Sequence, residues 1–551
     1  MRLSAKKISG IVFAALLLLL PSPLAPSPVF AADESIQQRI DQLYKELEKL
    51  KKEMEEGKKK NEKQETEIKK IKKETKEMGR VVDKVEPWGR FELKGDFRLK
   101  VDSVHANFDD FTGFRWNPNV VFGVGGTTPW GAYQPKSYEE FAADDNFLLT
   151  NRLRFNLKAN VTKDIDFISR FSMYKIWGQE TGAPLGTSIW TGDSFESFQL
   201  QNAMLFDGNR THKPSDNALR VDRAFFEFLE PGGLKDLWVS VGRRPSTQGP
   251  PLQLKEGMEF TERLGTPPGY LYDYAFDGAM IGYAPEIKAL PGFTFRICYG
   301  KGFESGLRDS DINSLNDASF TGFNIDLYNT KDTLVNVMLT RAFSLPDLAE
   351  QATANIGDVT TGGFLVMNRS LGVDLFLSTG FSKTHPDEIS IWRFPVDGNV
   401  DGVFDTSSGY DTYASPGGLL IDEGGDKKSR TGQAVYAGVR VPYGKSKFGL
   451  EFNYGSKYWL PFTSGSDDIY GSKIATRGHV EEVYWVYDLT KEPIGKLSRA
   501  LFRVGYQRYN FKYSGSGLFL GEPKKLDSNP SLLFPSPERM DNVYLSFDIY
   551  F

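Results

Sequence analysis

The chain has 551 residues, 40% of them hydrophobic and 13% aromatic, with 54 Gly, 29 Pro and one Cys, and its mean hydropathy is -0.39. High aromatic content over low apolar content argues against a set of large soluble enzyme domains, whose cores carry more aliphatic side chains. One Cys excludes a disulfide framework, a Cys-based zinc site and c-type haem attachment; 67 basic against 72 acidic residues, a net charge of -5, give no reason to expect a nucleic-acid partner.

Arg2, Lys6 and Lys7 precede an apolar run from Ile11 to Leu20, and Val29-Phe30-Ala31 places small residues at the -3 and -1 positions. This predicts a secretory signal peptide over 1–32, cut near Ala31 or Ala32, because the run is too short to span a bilayer. No Cys follows the run, so a lipoprotein is excluded. The mature chain is expected to be exported.

A heptad pattern follows over 33–86. Ile40, Leu47, Met54, Asn61, Ile68, Thr75 and Val82 form one set of core positions. Ile36, Leu43, Leu50, Gly57, Gln64, Ile71, Met78 and Val85 form the other. A sustained 3.5-residue period predicts a coiled coil, a rod of roughly 75 Å that needs partner helices. Gly57, Asn61 and Gln64 weaken its middle; Asn61 either fixes register or is a local weak point. Pro87 and Gly89 end it.

From Arg90 the period becomes two. Phe91, Leu93, Phe97, Leu99 and Val101 share one face, and Glu92, Lys94, Asp96, Arg98 and Lys100 the other. The same alternation recurs at Leu153–Val161, Phe293–Tyr299, Val435–Val441, Phe448–Tyr454, Ala500–Tyr506 and Val543–Phe551. Long strands of dyad alternation predict an all-β transmembrane antiparallel barrel over 87–551. Sixteen strands are expected to start near residues 90, 147, 165, 218, 237, 275, 293, 319, 333, 360, 371, 430, 447, 477, 499 and 541. Connections alternate strictly between short turns and long loops rich in Gly, Pro, Asp and Ser. That parity suits an even-stranded outer-membrane barrel with both termini in the periplasm. Trp88, Trp177, Tyr458, Trp459, Tyr550 and Phe551 fall near strand ends, where aromatic girdles meet the interface.

The C-terminal Tyr-Leu-Ser-Phe-Asp-Ile-Tyr-Phe, ending at Phe551, resembles the signal by which the barrel-assembly machinery recognises Gram-negative outer-membrane proteins. Gly242-Arg243-Arg244-Pro245, Gly249-Pro250-Pro251 and Tyr454-Gly455-Ser456-Lys457-Tyr458-Trp459 resemble an uncharacterised family of exported porin-like proteins, a domain of unknown function. The likeness implies a porin-like outer-membrane barrel, in contact with lipid and lipopolysaccharide, and no particular substrate. The rod-plus-barrel layout resembles trimeric porins with a periplasmic coiled coil. It implies a homotrimer, and peptidoglycan contact is an alternative use of the rod.

About sixteen strands leave a water-filled channel unless something plugs it. Alternation turns Arg90, Arg98, Lys100, Arg152, Arg154, Lys158, Arg170, Arg223, Arg243 and, from strand 15, Arg503 inward as one arc of cationic wall. Glu451 and Asn453 suggest a less basic side opposite. The long connection 248–274 carries Glu256, Glu259, Glu262 and Asp273. In general porins a loop at this place folds inward. Its acids would then face the arginine wall and set a transverse field across a constriction. Ion pairing of the arginines merely to fill the wall is the alternative.

Asp397, Asn399, Asp401 and Asp405, with Gly402, follow the spacing of a calcium loop that lacks its bidentate Glu, since Ser408 stands there. Ca2+ is thus a weak candidate, and otherwise no cofactor is expected. His105, His212, His385 and His479 have no nucleophile motif beside them, so no enzyme is expected. An outer-membrane porin passing small polar or charged solutes, trimeric by analogy with porins, is the expected function. A membrane anchor or tether, whose rod reaches peptidoglycan or a periplasmic partner, is the alternative.

Overall fold

The alternation beginning at Phe91 becomes one continuous antiparallel ladder. The computed structural model describes residues 90–551 apart from stretches within the connections, of which 179–210 and 123–131 are the longest. The signal peptide, the coiled coil and the four calcium-loop positions Asp397, Asn399, Asp401 and Asp405 lie outside the described residues.

The ladder holds β1 (Phe91–Phe108), β2 (Phe141–Asn160), β3 (Ile165–Ile176), β4 (Arg220–Leu229), β5 (Leu237–Pro245), β6 (Ala275–Tyr283), β7 (Thr294–Phe303) and β8 (Ala318–Asn329). It continues with β9 (Thr333–Pro346), β10 (Asn355–Ser370), β11 (Val373–Pro386), β12 (Thr431–Tyr443), β13 (Ser446–Gly455), β14 (Gly478–Asp488), β15 (Arg499–Phe511) and β16 (Arg539–Tyr550). Each strand pairs with its sequence neighbours, and β16 pairs with β1, closing a sixteen-stranded antiparallel barrel. The expected strand starts match these closely; the largest shifts are at β2 and β10, which begin earlier than the apolar alternation does. Two connections read as irregular carry hairpins of their own, Phe111–Asn117 with Ala132–Tyr138 and Ile391–Pro395 with Thr412–Pro416.

The seam is finished by the last residue. The Gly95 amide donates to the Phe551 carbonyl at 2.7 Å, and the Phe551 amide donates back at 2.9 Å. The Phe551 ring lies where a Gly95 Cβ would stand, 2.4 Å away. Apolar residues on the outer face, such as Phe226, Ile281, Phe323, Leu450 and Leu545, are exposed. Such a band is stable only against an apolar surrounding.

Inside, four directly opposed pairs match a glycine to an aromatic ring on the next strand: Gly282 with Trp238, Gly438 with Phe376, Gly449 with Tyr484 and Gly505 with Tyr544. A Cβ at Gly505 would stand 2.2 Å from the Tyr544 ring. Glycine here gives the ring a place to lie flat on the wall, as in other sheets where aromatics cover glycine. Gly505→Val is therefore expected to cost about 1–3 kcal/mol through overpacking, read as a lowered unfolding midpoint of the detergent-purified barrel.

Candidate pore constriction

The wall splits into two chemically distinct arcs. On the adjacent strands β15, β16, β1, β2 and β3, the buried charged groups are Arg98, Lys100, Arg152, Arg154, Arg170 and Arg503 against Asp96, Asp102, Asp166 and Asp548. Across the lumen, β9 and β10 turn Leu334, Met338, Ala342, Val359, Leu365 and Met367 inward, all buried. This apolar arc is not legible from alternation, since Val335, Val337 and Leu339 make the outer face of β9 apolar too.

The connection between β5 and β6 spans this asymmetry. Leu254, Phe260, Tyr270, Leu271 and Tyr272 join a buried cluster with the apolar arc, while Glu256 faces the basic one, 3.4 Å from Arg98 and 3.8 Å from Arg152. The segment enters at the long-loop end yet reaches the short-turn end. Lys447, beside the β12–β13 turn, donates to the Gly257 carbonyl at 2.9 Å and to Glu259 at 2.7 Å. Arg499, the first residue of β15, donates to Glu262 at 3.1 Å. Arg440 of β12 donates to the carbonyls of Leu254 and Met258 at 3.0 and 2.6 Å, and is itself held by Asp374. Arg503 donates to the Lys255 carbonyl at 3.1 Å. Gly257 forms the tip with φ 80°, and a Cβ there would strike Leu501 and Val486; only glycine suits both the backbone and the space.

A second connection, between β13 and β14, folds in beside the first. Tyr272–Asp273 and Phe462–Thr463 form a short parallel ladder, and Tyr270 stacks between Trp459 and Tyr436 at centroid distances of 5.3 and 5.7 Å. Lys473 from this connection, 1% exposed, bonds Glu451 of β13 and Glu482 of β14. The less basic side suggested by Glu451 and Asn453 is thus occupied by a cation that sequence reasoning missed, because Lys473 lies outside the alternating strands and arrives only through the loop. Lys255 closes the same network through Asp468 at 3.0 Å. Arg477 fastens the connection at the mouth, donating to the carbonyls of Trp459, Ser514, Gly515 and Leu518.

Of the residues expected along the wall, Arg98, Lys100, Arg152, Arg154, Lys158, Arg170, Arg223 and Arg503 are on inward positions. Lys158 sits near the short-turn rim, paired with Asp166 at 2.8 Å. Arg223 shares the inward face with Asp222 because a bulge between β3 and β4 places two successive residues there. Arg243 is a correction. It lies opposite Asp277 on the outer face and bonds it at 3.0 Å. The inward place belongs to Arg244, which meets Ser240 and the Phe225 ring; in two adjacent arginines, alternation alone does not say which turns in. His212, in the connection between β3 and β4, is buried against Asp222 at 2.9 Å. His105 and His385 belong to β1 and β11.

Burial raises the affinity of the Glu259 carboxyl for protons, but Lys447, with Arg440 and Arg369, overcomes this and holds it below the ordinary glutamate range. Asp468 is likewise depressed by Lys255 and Lys473 against its burial. A depressed carboxyl lends stability above its unfolded pKa and loses it as pH falls through the folded value. Loop contacts should therefore be constant from about pH 8 to about pH 5 and loosen below about pH 4, measured as amide hydrogen exchange of residues 252–262 after brief acid exposure.

Residues 142–551 match the model of a family described as a protein of unknown function, DUF3373. No curated protein matches the chain. Among solved structures, the Salmonella typhi OmpF complex with daunomycin is 11% identical with a TM-score of 0.37, covering 84% of this chain and 97% of that one. An anion-selective porin from Comamonas acidovorans is 9% identical with a TM-score of 0.38, covering 84% and 99%. OmpT of Vibrio cholerae is 10% identical with a TM-score of 0.34, covering 84% and 97%.

Proposed function

This chain belongs to the DUF3373 family, and we propose that it is an outer-membrane porin with a constricted lumen, passing small polar or charged solutes along its basic arc. The observation that carries this reading is the polarity of the filled lumen. Buried ion pairs are seldom worth more than apolar packing of the same volume, so a barrel serving only as an anchor gains little from six buried cations on one arc. Polar atoms beside that arc, Thr150 Oγ1, Ser172 Oγ, His212 Nδ1 and both amide atoms of Gln253, have no protein hydrogen-bond partner. Each would cost about 1–3 kcal/mol if dry, which favours a hydrated strip between the inward loop and β2–β3. Cations outnumber carboxylates on that wall, so small anions would pass more readily than cations.

In this reading the signal peptide exports the chain, Phe551 presents the last strand to the barrel-assembly machinery, and the coiled coil holds three barrels together in the periplasm. Lipid and lipopolysaccharide surround the outer band. The tether reading has its own support, since inward side chains of both the basic and the apolar arc are buried. Swelling of proteoliposomes in graded small solutes separates the two. The porin reading expects uptake above protein-free vesicles for the smallest polar solutes and none for larger sugars. A folded barrel that admits none of them sinks that reading and leaves the anchor.

A further inference from the structure

Arg244 differs from the other cations of the lumen. Among the described residues, each remaining Lys or Arg that the sixteen strands turn inward has a carboxylate partner. Arg244 has none. Its guanidinium donates to the Ser240 hydroxyl and, at 3.4 Å, to the Met280 sulfur, and it lies 5.2 Å over the Phe225 ring. Glu227 and Arg296 are within electrostatic reach, but Glu227 forms no ion pair with it, and Arg296 is bound to Asp326 at 2.8 Å. A hydroxyl and a thioether are modest partners for a fork of five N–H donors, so most of that fork remains available to a ligand.

The wall around Arg244 is apolar and sparsely furnished. Phe276 stands directly opposite it on β6, and in the next inward row Gly242 faces Gly278, which faces Gly300. Elsewhere in the lumen a ring from the next strand covers such a glycine. At Gly242 and Gly278 the atoms nearest to an added Cβ are strand backbone and the Phe225 Cβ. Arg244, Phe276, Gly242, Gly278 and Cys298 are only half-buried, whereas the charged groups of the basic arc are buried. Water therefore reaches this stretch of β5–β7. A guanidinium takes a carboxylate in a planar, two-pronged contact, and an apolar body attached to that carboxylate would displace water from Phe225 and Phe276.

We infer that Arg244 is the charged end of a solute subsite on the β5–β7 wall, whose ligand is a small carboxylate carrying a flat apolar body. Arg244 meets the carboxylate, Phe225 and Phe276 flank the body, and the bare glycines give it room against the wall. A small inorganic anion gains nothing from the apolar flanks, and a neutral apolar solute gains nothing from the guanidinium. The subsite rests on the porin reading for its access to solute, and adds a solute class to it.

The chain's one cysteine reports on the site. Cys298 stands opposite Met280 on β7, and its modification by methyl methanethiosulfonate can be followed by mass spectrometry of the full-length, detergent-purified protein. Benzoate should slow that modification saturably, on the order of fivefold at a few times its Kd, and benzylammonium at the same concentration should not. Arg244→Gln, which leaves no carboxylate without its cation, should raise the benzoate concentration required about tenfold. Arg244→Lys keeps the charge without the fork and should fall between. Should Arg244→Gln fail to fold, benzoate against benzylammonium on the wild type still decides. A Cys298 that does not react in the folded barrel, equal protection by the two solutes, or unchanged protection in folded Arg244→Gln would each overturn the subsite. Modification does not depend on conductance. A conducting barrel without protection loses only the subsite, and protection in a barrel that never conducts removes only the porin reading.

Discussion

Replacing residues 252–262 with a short Gly-Ser linker is expected to raise single-channel conductance on the order of tenfold, because a sixteen-stranded barrel without its inward segment leaves an aqueous channel. The segment is anchored from several strands: Arg440 and Arg503 hold its backbone, Lys447 and Arg499 hold its acidic tip, and Glu256 meets Arg98 and Arg152. Water entering the lumen would resolvate these cations, so they need not be left dry. The ladder itself contains none of residues 252–262, and the barrel should still close. Planar-bilayer recordings of the two proteins side by side make the comparison. Equal conductance would mean that the segment does not control passage.

The second large effect concerns Lys473. It sits with Glu451 and Glu482, each 1 or 2% exposed, and Tyr436 and Tyr544 donate to the same carboxylates at 2.5 and 2.7 Å. Lys473→Met would leave two carboxylates buried together without their cation, at a cost of about 3–5 kcal/mol. Changing all three, Lys473→Met with Glu451→Gln and Glu482→Gln, removes the charges as a set and should regain most of that loss. Denaturant midpoints of the detergent-solubilised proteins measure both. A single variant as stable as the wild type would show that water reaches the pair, and that the connection between β13 and β14 does not seal this side of the lumen.

The barrel was legible because period-two alternation depends only on which face meets lipid, and because loop lengths alternate around the ring. Phe448, Leu450, Phe452 and Tyr454 against Gly449, Glu451, Asn453 and Gly455 leave no other assignment of faces. The basic arc was legible for the same reason. Arg243 was misplaced because the Gly242-Arg243-Arg244 segment offers two charges in a row, and the sheet, through Asp277 on the neighbouring strand, decides between them. The apolar arc was hidden because β9 is apolar on both faces; an inward aliphatic wall is meaningful only once the connection that covers it is known. Lys473 and His212 were hidden for a related reason. Long loops have no period, so nothing local shows that these residues fold back into the lumen, where a buried carboxylate already awaits each one. The small loop ladder pairing Tyr272 with Phe462 joins segments nearly two hundred residues apart and has no local signature at all.

The central claim is that solutes cross this barrel along its basic arc, between β2–β3 and the inward connection. Single-channel recording of the wild type under a potassium chloride gradient tests it most directly. The account predicts small, discrete openings with a reversal potential on the chloride side, shifted towards the cation side in Arg98→Gln/Arg152→Gln. Cation-selective openings that ignore that double substitution would contradict the path, and silence from a barrel shown to be folded and inserted would contradict the channel itself.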